Sequence, residues 1–204
     1  MTQPLTRPEI IRGAVAEYED FAALLDSLDD KAWRTATRCD GFEVRDVAGH
    51  VVGLANDVTL GVPGSRTADE EAASLRDFTP QEVAKHLRTS LEGISALVNA
   101  LDDDAAWNGP SPIDGLTLGR GVLTLWYDTY VHADDIRAAI GQPSQAGDGV
   151  RASVEYLQGE LASRGFAPIP TDIADPLLFV LIATGRADAS QMNLDPSVNI
   201  YADA

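Results

Sequence analysis

Leu118-Gly-Arg-Gly-Val-Leu-Thr-Leu-Trp-Tyr-Asp128-Thr-Tyr-Val-His132-Ala-Asp-Asp-Ile136-Arg137-Ala-Ala-Ile140 carries the architecture of this chain in its spacing. Leu125, Asp128, His132, Ile136 and Ala139 recur at three- and four-residue steps and therefore share one face of a helix. The outer members of that face are apolar, so it points into a core and carries Asp128 and His132 inward with it. Gly141 closes the helix and Pro143 prevents its continuation.

The same period appears on either side. Ile11, Ala14, Tyr18, Phe21, Leu25 and Leu28 form one stripe on a helix predicted over Arg7–Leu28, with Pro8 in its first turn. Val44, Val47, Val51, Ala55 and Val58 mark a second helix that begins near Glu43 and ends at Gly61, Pro63 and Gly64. Asp40 and Glu43, or Glu43 with Asp46, are alternative caps for it. Val83, Leu87, Leu91, Ile94, Val98 and Leu101 define a third helix with Thr79 as N-cap and Pro80 behind it. The run Asp102-Asp103-Asp104 suits the end of a helix poorly and reads as a solvated loop.

A further helix is expected over Val150–Ser163, and beyond Pro168 and Pro170 the character changes. There, a short apolar element over Ala174–Arg186 is closed by Gly185, and Val198–Tyr201 has the composition of a short strand. These elements predict an all-α protein: a four-helix bundle with one extra helix over residues 1–165, and a small annex over 166–204.

Composition narrows the function. Fifteen Lys and Arg stand against 32 Asp and Glu, a formal net charge of −17. Such a surface repels phosphate backbones and anionic headgroups, so neither nucleic acid nor membrane is expected as a partner. No apolar run is long enough to span a bilayer, and the N-terminal residues lack the layout of a secretion signal. With a single cysteine, Cys39, no internal disulfide can form. A cytoplasmic protein is the expectation. The apolar annex offers a surface for a homodimer.

Two of the three histidines occupy unusual places. His132 shares the inward face of its helix with Asp128, and His50 lies at the edge of the second helix's stripe between Val47 and Leu54. Burying two imidazoles and a carboxylate is costly unless they are hydrogen-bonded or hold a metal. His50, Asp128 and His132 therefore read either as a hydrogen-bonded boundary cluster or as a catalytic metal set with open positions. Asp46 and Asp57 are candidates to orient His50. Arg137 is the candidate to meet an anionic cofactor or substrate, or else the partner in an inter-helix ion pair.

Trp33-Arg-Thr-Ala-Thr-Arg-Cys-Asp-Gly-Phe-Glu-Val-Arg-Asp-Val-Ala-Gly-His50 resembles the loop and second helix of the DinB-like superfamily, in particular its mycothiol-dependent maleylpyruvate isomerase branch. Tyr127–Gly141, with an acidic residue four before a histidine and then Asp-Ile-Arg, is similar to that branch's fourth helix, and Leu181–Arg186 to its C-terminal region. The resemblance implies His50, Asp128 and His132 as ligands to a divalent metal, zinc before nickel or iron. It also implies mycothiol as the thiol cosubstrate and a small electrophilic substrate. Asp128 stands where that branch usually has glutamate, and the annex is shorter than a sterol-carrier-protein-like domain. The expected function is thus metal-dependent activation of a low-molecular-weight thiol, for isomerisation or thiol transfer. The alternative is a bundle that binds a metal or ligand, or an interaction protein, without turnover.

Overall fold

The computed structural model describes residues 3–113, 115–166 and 173–202; Pro168 and Pro170, where the change of character was expected, lie outside them. Four long helices make the bundle: α1 (Arg7–Asp26), α3 (Val44–Thr59), α5 (Pro80–Asn99) and α7 (Leu118–Ala139). Short helices α2 (Asp30–Trp33), α4 (Ala68–Leu75) and α6 (Asp104–Trp107) lie in the connections, and α8 (Asp148–Ser163) and α9 (Pro176–Ala183) follow. α1 packs on α5 and α7, and α3 packs on the same two, so α1 and α3 face each other diagonally.

Run directions follow from the connections. The end of α1 meets the start of α5, where the Gln81 side chain donates to the carbonyls of Asp26 and Leu28. The start of α1 meets α6, which leads into α7, through an ion pair between Arg7 and Asp104. α1 and α7 therefore run one way, and α3 and α5 the other. Two parallel neighbours need a long crossover, and the segment between α3 and α5 supplies it, with α4 folded back along α3. The acidic run lies outside α5, and Asp103 caps α6 by accepting from Ala106 N–H.

The expected stripes of α1, α3 and α5 supply most of the core, whereas on α7 only Ile136 of the expected face is buried and Leu125, Asp128, His132 and Ala139 are half-buried. Tyr18, Phe21 and Leu25 of α1, Val47 and Val51 of α3, Leu87 and Ile94 of α5 and Ile136 of α7 are all buried. Each such side chain contributes about 1.5–3 kcal/mol of transfer free energy. Local signals set the ends: Thr79 and Glu82 form a capping box at α5, and Gly141, with φ 74°, turns the chain out of α7.

A second core forms on the outer side of α7. Tyr127, Tyr130 and Val131 meet Val150, Leu157 and Leu161 of α8 and Phe179, Val180 and Ile182 of α9. Of the apolar annex residues, Phe179, Val180, Ile182 and Ala183 are buried within the chain, and Leu177, Leu178 and Leu181 are half-buried. The strand expected over Val198–Tyr201 does not form: Pro196–Val198 is a turn of 3-10 helix, and Ile200 N–H donates to the Ala183 carbonyl. Pro196 cannot donate to a ladder, and the segment caps the end of α9 instead. Among the described residues no helix is long and apolar enough to cross a membrane.

One polar group sits where α1, α7 and α8 meet. Glu17 is buried and accepts from Trp126 Nε1 at 3.2 Å. Burial raises its pKa from 4.5 to about 7, against the lowering pull of Trp126 and of the Arg137 charge, with Asp20 adding slightly to the rise. A carboxyl raised in the folded state stabilises it below the unfolded pKa and stops doing so as pH rises through the folded value. Stability should therefore fall by on the order of 3 kcal/mol between about pH 4.5 and pH 7 on account of Glu17. Glu17→Gln, which still accepts from Trp126, is expected to remove that slope in urea titrations across this range; an unchanged slope would contradict the assignment.

Candidate metal centre

α3 and α7 cross at His50 and His132. Periodicity brings His132 and Asp128 one turn apart on α7, and α3 presents His50 opposite them. His50 Nε2 lies 3.7 Å from Asp128 Oδ2, and His132 Nε2 lies 3.5 Å from Asp128 Oδ1. The two rings meet edge to face with centroids 5.0 Å apart. One donor atom from each of His50, Asp128 and His132 lies within 4.8 Å of the others. The three expected ligands are therefore together.

This donor set fits a divalent ion. Donors at about 2.0–2.1 Å from a tetrahedral ion stand about 3.3 Å from each other, somewhat less than the 3.5 and 3.7 Å that separate the two rings from the two oxygens of Asp128. Two imidazole nitrogens and one carboxylate oxygen suit zinc and its neighbours in the transition series. The ligand side chains keep 16–18% of their surface exposed, so the cluster is half-buried and not sealed from solvent. Burial opposes a charged His50 ring, but the carboxylates of Asp128 and Glu71 outweigh it and raise its pKa to about 10. Burial likewise works against the Asp128 charge, yet the two histidines hold its carboxyl below the usual range. The cluster is thus built to attract positive charge.

Each histidine uses its other nitrogen on a buried carboxylate. His132 Nδ1 is 3.0 Å from Asp135 Oδ2, and His50 Nδ1 is 2.6 Å from Glu71 Oε2. Asp135, fully buried, also takes Arg186 Nε at 2.7 Å and Arg38 Nε at 2.6 Å, while Arg38 reaches Asp134. It thereby ties the loop before α3 and the turn after α9 to a ligand on α7.

Asp46 and Asp57 do not touch His50. Asp46 takes Arg76 and Asp57 takes Arg66, and both pairs hold the ends of α4 onto α3. Glu71 on α4 has the place expected for them. No element was expected from the sequence between Gly64 and Thr79, although Thr67-Ala-Asp-Glu70 is a capping box.

Arg137 lies away from the centre. It is nine residues from Asp128, half a revolution around α7, and is buried where its charge acts on Glu17. The cation beside the centre is Arg186, whose charge helps to hold Asp128 ionised. His86 is exposed on α5 against Phe78, and Trp126 is in the core.

Cys39, His132 and Asp135 also come within 4.8 Å. Two guanidinium groups already hold Asp135, and burial with the nearby Asp135 charge pushes the Cys39 thiol up to about 12. A neutral thiol beside two cations is a poor place for a metal.

Known proteins share the fold. Residues 14–137 match the family described as mycothiol maleylpyruvate isomerase N-terminal domain. Among solved structures, the crystal structure of the mycothiol-dependent maleylpyruvate isomerase superposes with a TM-score of 0.60 at 15% identity, covering 82% of this chain and 76% of that one. A histidine-to-alanine mutant of that enzyme gives 0.57 with the same identity and coverage. No curated protein matches by sequence. At such identity the likeness of structure speaks for the fold, whereas the family match spans more than half of the sequence. The chain belongs to the mycothiol maleylpyruvate isomerase N-terminal domain family.

Proposed function

We propose that this protein is a metal-dependent enzyme that uses a low-molecular-weight thiol of the mycothiol type on a small electrophilic substrate. The observation that carries the reading is the convergence of His50 Nε2 and His132 Nε2, from two core helices, on the half-buried Asp128 carboxylate. His50, Asp128 and His132 would hold a divalent ion, zinc by preference, and its charge would lower the pKa of a coordinating thiol.

The chain's own residues do the rest. With three donors from the protein, such an ion would still be able to take up a thiol sulfur. Asp135, fixed by Arg38 and Arg186, holds the His132 ring by its Nδ1 and leaves Nε2 toward Asp128. Addition of a thiol sulfur to one carbon of an activated double bond makes that bond single and free to rotate. Expulsion of the same thiol restores the double bond in the isomeric geometry, and retention of the sulfur gives a thiol adduct. The family and the neighbouring structure both carry maleylpyruvate isomerase in their names, and a cis-configured, activated dicarbonyl acid of that kind is the first substrate to test.

The experiment is incubation of zinc-loaded protein with mycothiol and a panel of electrophiles that includes maleylpyruvate. Turnover that requires both mycothiol and zinc, and disappears in Asp128→Ala, is the expected result. Stoichiometric zinc with no thiol-dependent turnover across the panel would leave a metal-binding bundle without this chemistry.

A further inference from the structure

We propose that Glu71 is a positioning residue of the metal centre, its carboxylate fixing the His50 ring so that Nε2 is presented to a divalent cation. This rests on the metal reading given above and assigns to the crossover helix α4 the task of holding that carboxylate in place.

Three observations carry it. Glu71 is 2% exposed, and its Oε2 lies 2.6 Å from His50 Nδ1. A buried carboxylate is expensive unless something uses its charge, and here the imidazole N–H is what it accepts from. With Nδ1–H directed to Glu71, Nε2 is the nitrogen that would give up its proton to a cation, on the side of Asp128.

The second observation is how closely α4 approaches α3. A Cβ on Gly49 would stand 2.9 Å from the Ala72 carbonyl oxygen, and one on Gly53 would stand 2.7 Å from Glu71 Cβ. Glycine at these two positions, one turn apart and flanking His50 in sequence, lets the α4 backbone lie directly on α3. Any larger residue would push Glu71 away from the ring.

Third, both ends of α4 are clamped. Arg66, just before it, donates to Asp57 and to the Gly53 carbonyl; Arg76, just after it, donates to Asp46. These guanidinium groups are committed to other carboxylates, so Glu71 keeps its own charge for His50. Asp135 on the other histidine differs, being shared between Arg38 and Arg186. The His50 side of the centre is therefore the stronger donor, because an unshared carboxylate raises the basicity of its imidazole more than a neutralised one.

The test compares Glu71→Gln, Glu71→Ala and Gly53→Leu with the parent. Zinc affinity is measured by chelator competition, and the His50 tautomer by nitrogen NMR of the zinc-loaded protein. Glutamine still accepts from Nδ1–H but lacks the charge, so about 10-fold weaker zinc binding with the parental tautomer is expected. Alanine loses both, and about 100-fold weaker binding with a mixed tautomer is expected. Gly53→Leu alters no ligand and should weaken zinc as Glu71→Ala does, by lifting α4. Urea titration checks folding; should Glu71→Ala not fold, the isosteric Glu71→Gln decides. Parental affinity in Glu71→Gln, with parental affinity and tautomer in any folded Glu71→Ala, overturns the proposal while the metal reading stands. A parent that binds no zinc overturns both.

Discussion

His50→Ala and His132→Ala are each expected to strip the protein of zinc, whereas the parent retains about one equivalent. Either substitution removes one of three donors and leaves Asp128 with a single imidazole, so affinity should fall by more than the roughly 100-fold that loss of an outer hydrogen-bond partner can cost. His86→Ala is the internal control, because His86 lies on the exposed side of α5 against Phe78 and should leave the zinc content untouched. Metal analysis of the four purified proteins reads this directly. Equal zinc in all of them would remove the centre from the account.

Asp135→Ala is expected to be the most destabilising change near the centre. The carboxylate is fully buried and accepts from Arg186 at 2.7 Å, Arg38 at 2.6 Å and His132 at 3.0 Å. Removing it leaves Arg186, itself nearly buried, without its main counter-charge, and loss of one partner from a buried pair costs about 3 kcal/mol or more. The same change frees the His132 ring, so zinc affinity should fall along with stability. Urea titration of metal-free protein separates the two effects. Loss of zinc with unchanged metal-free stability would show that Asp135 acts on His132 alone, and retention of both would contradict the network.

The bundle was legible because α1, α3 and α5 each carry a three-four apolar stripe, and α7 carries the polar pair Asp128 and His132 at the same spacing between Leu125 and Ile136. Phase alone placed Asp128 and His132 on the same side, and the position of His50 at the edge of the α3 stripe put it at a helix crossing. Connections were harder. α4 has few apolar residues, and its helicity comes from the Thr67–Glu70 capping box and from glycine-mediated contact with α3, a tertiary feature that periodicity does not report. Without α4, Asp46 and Asp57 looked like partners for His50, whereas they secure the helix that brings Glu71. Arg137 drew attention by nearness in sequence to His132, yet five residues turn it away from that histidine, and the cation beside the centre arrives from Arg186, 51 residues beyond Asp135. The Val198–Tyr201 segment has a strand's composition, but no neighbouring edge exists among the described residues for it to join.

X-ray absorption at the zinc edge tests the centre most directly. The account predicts a first shell of nitrogen and oxygen at about 2.0–2.1 Å with two imidazoles, and one sulfur at about 2.3 Å only after mycothiol is added. A sulfur neighbour before any thiol is added would place the ion on Cys39, and a shell without imidazole would place it on the acidic surface; either result contradicts a centre built from His50, Asp128 and His132.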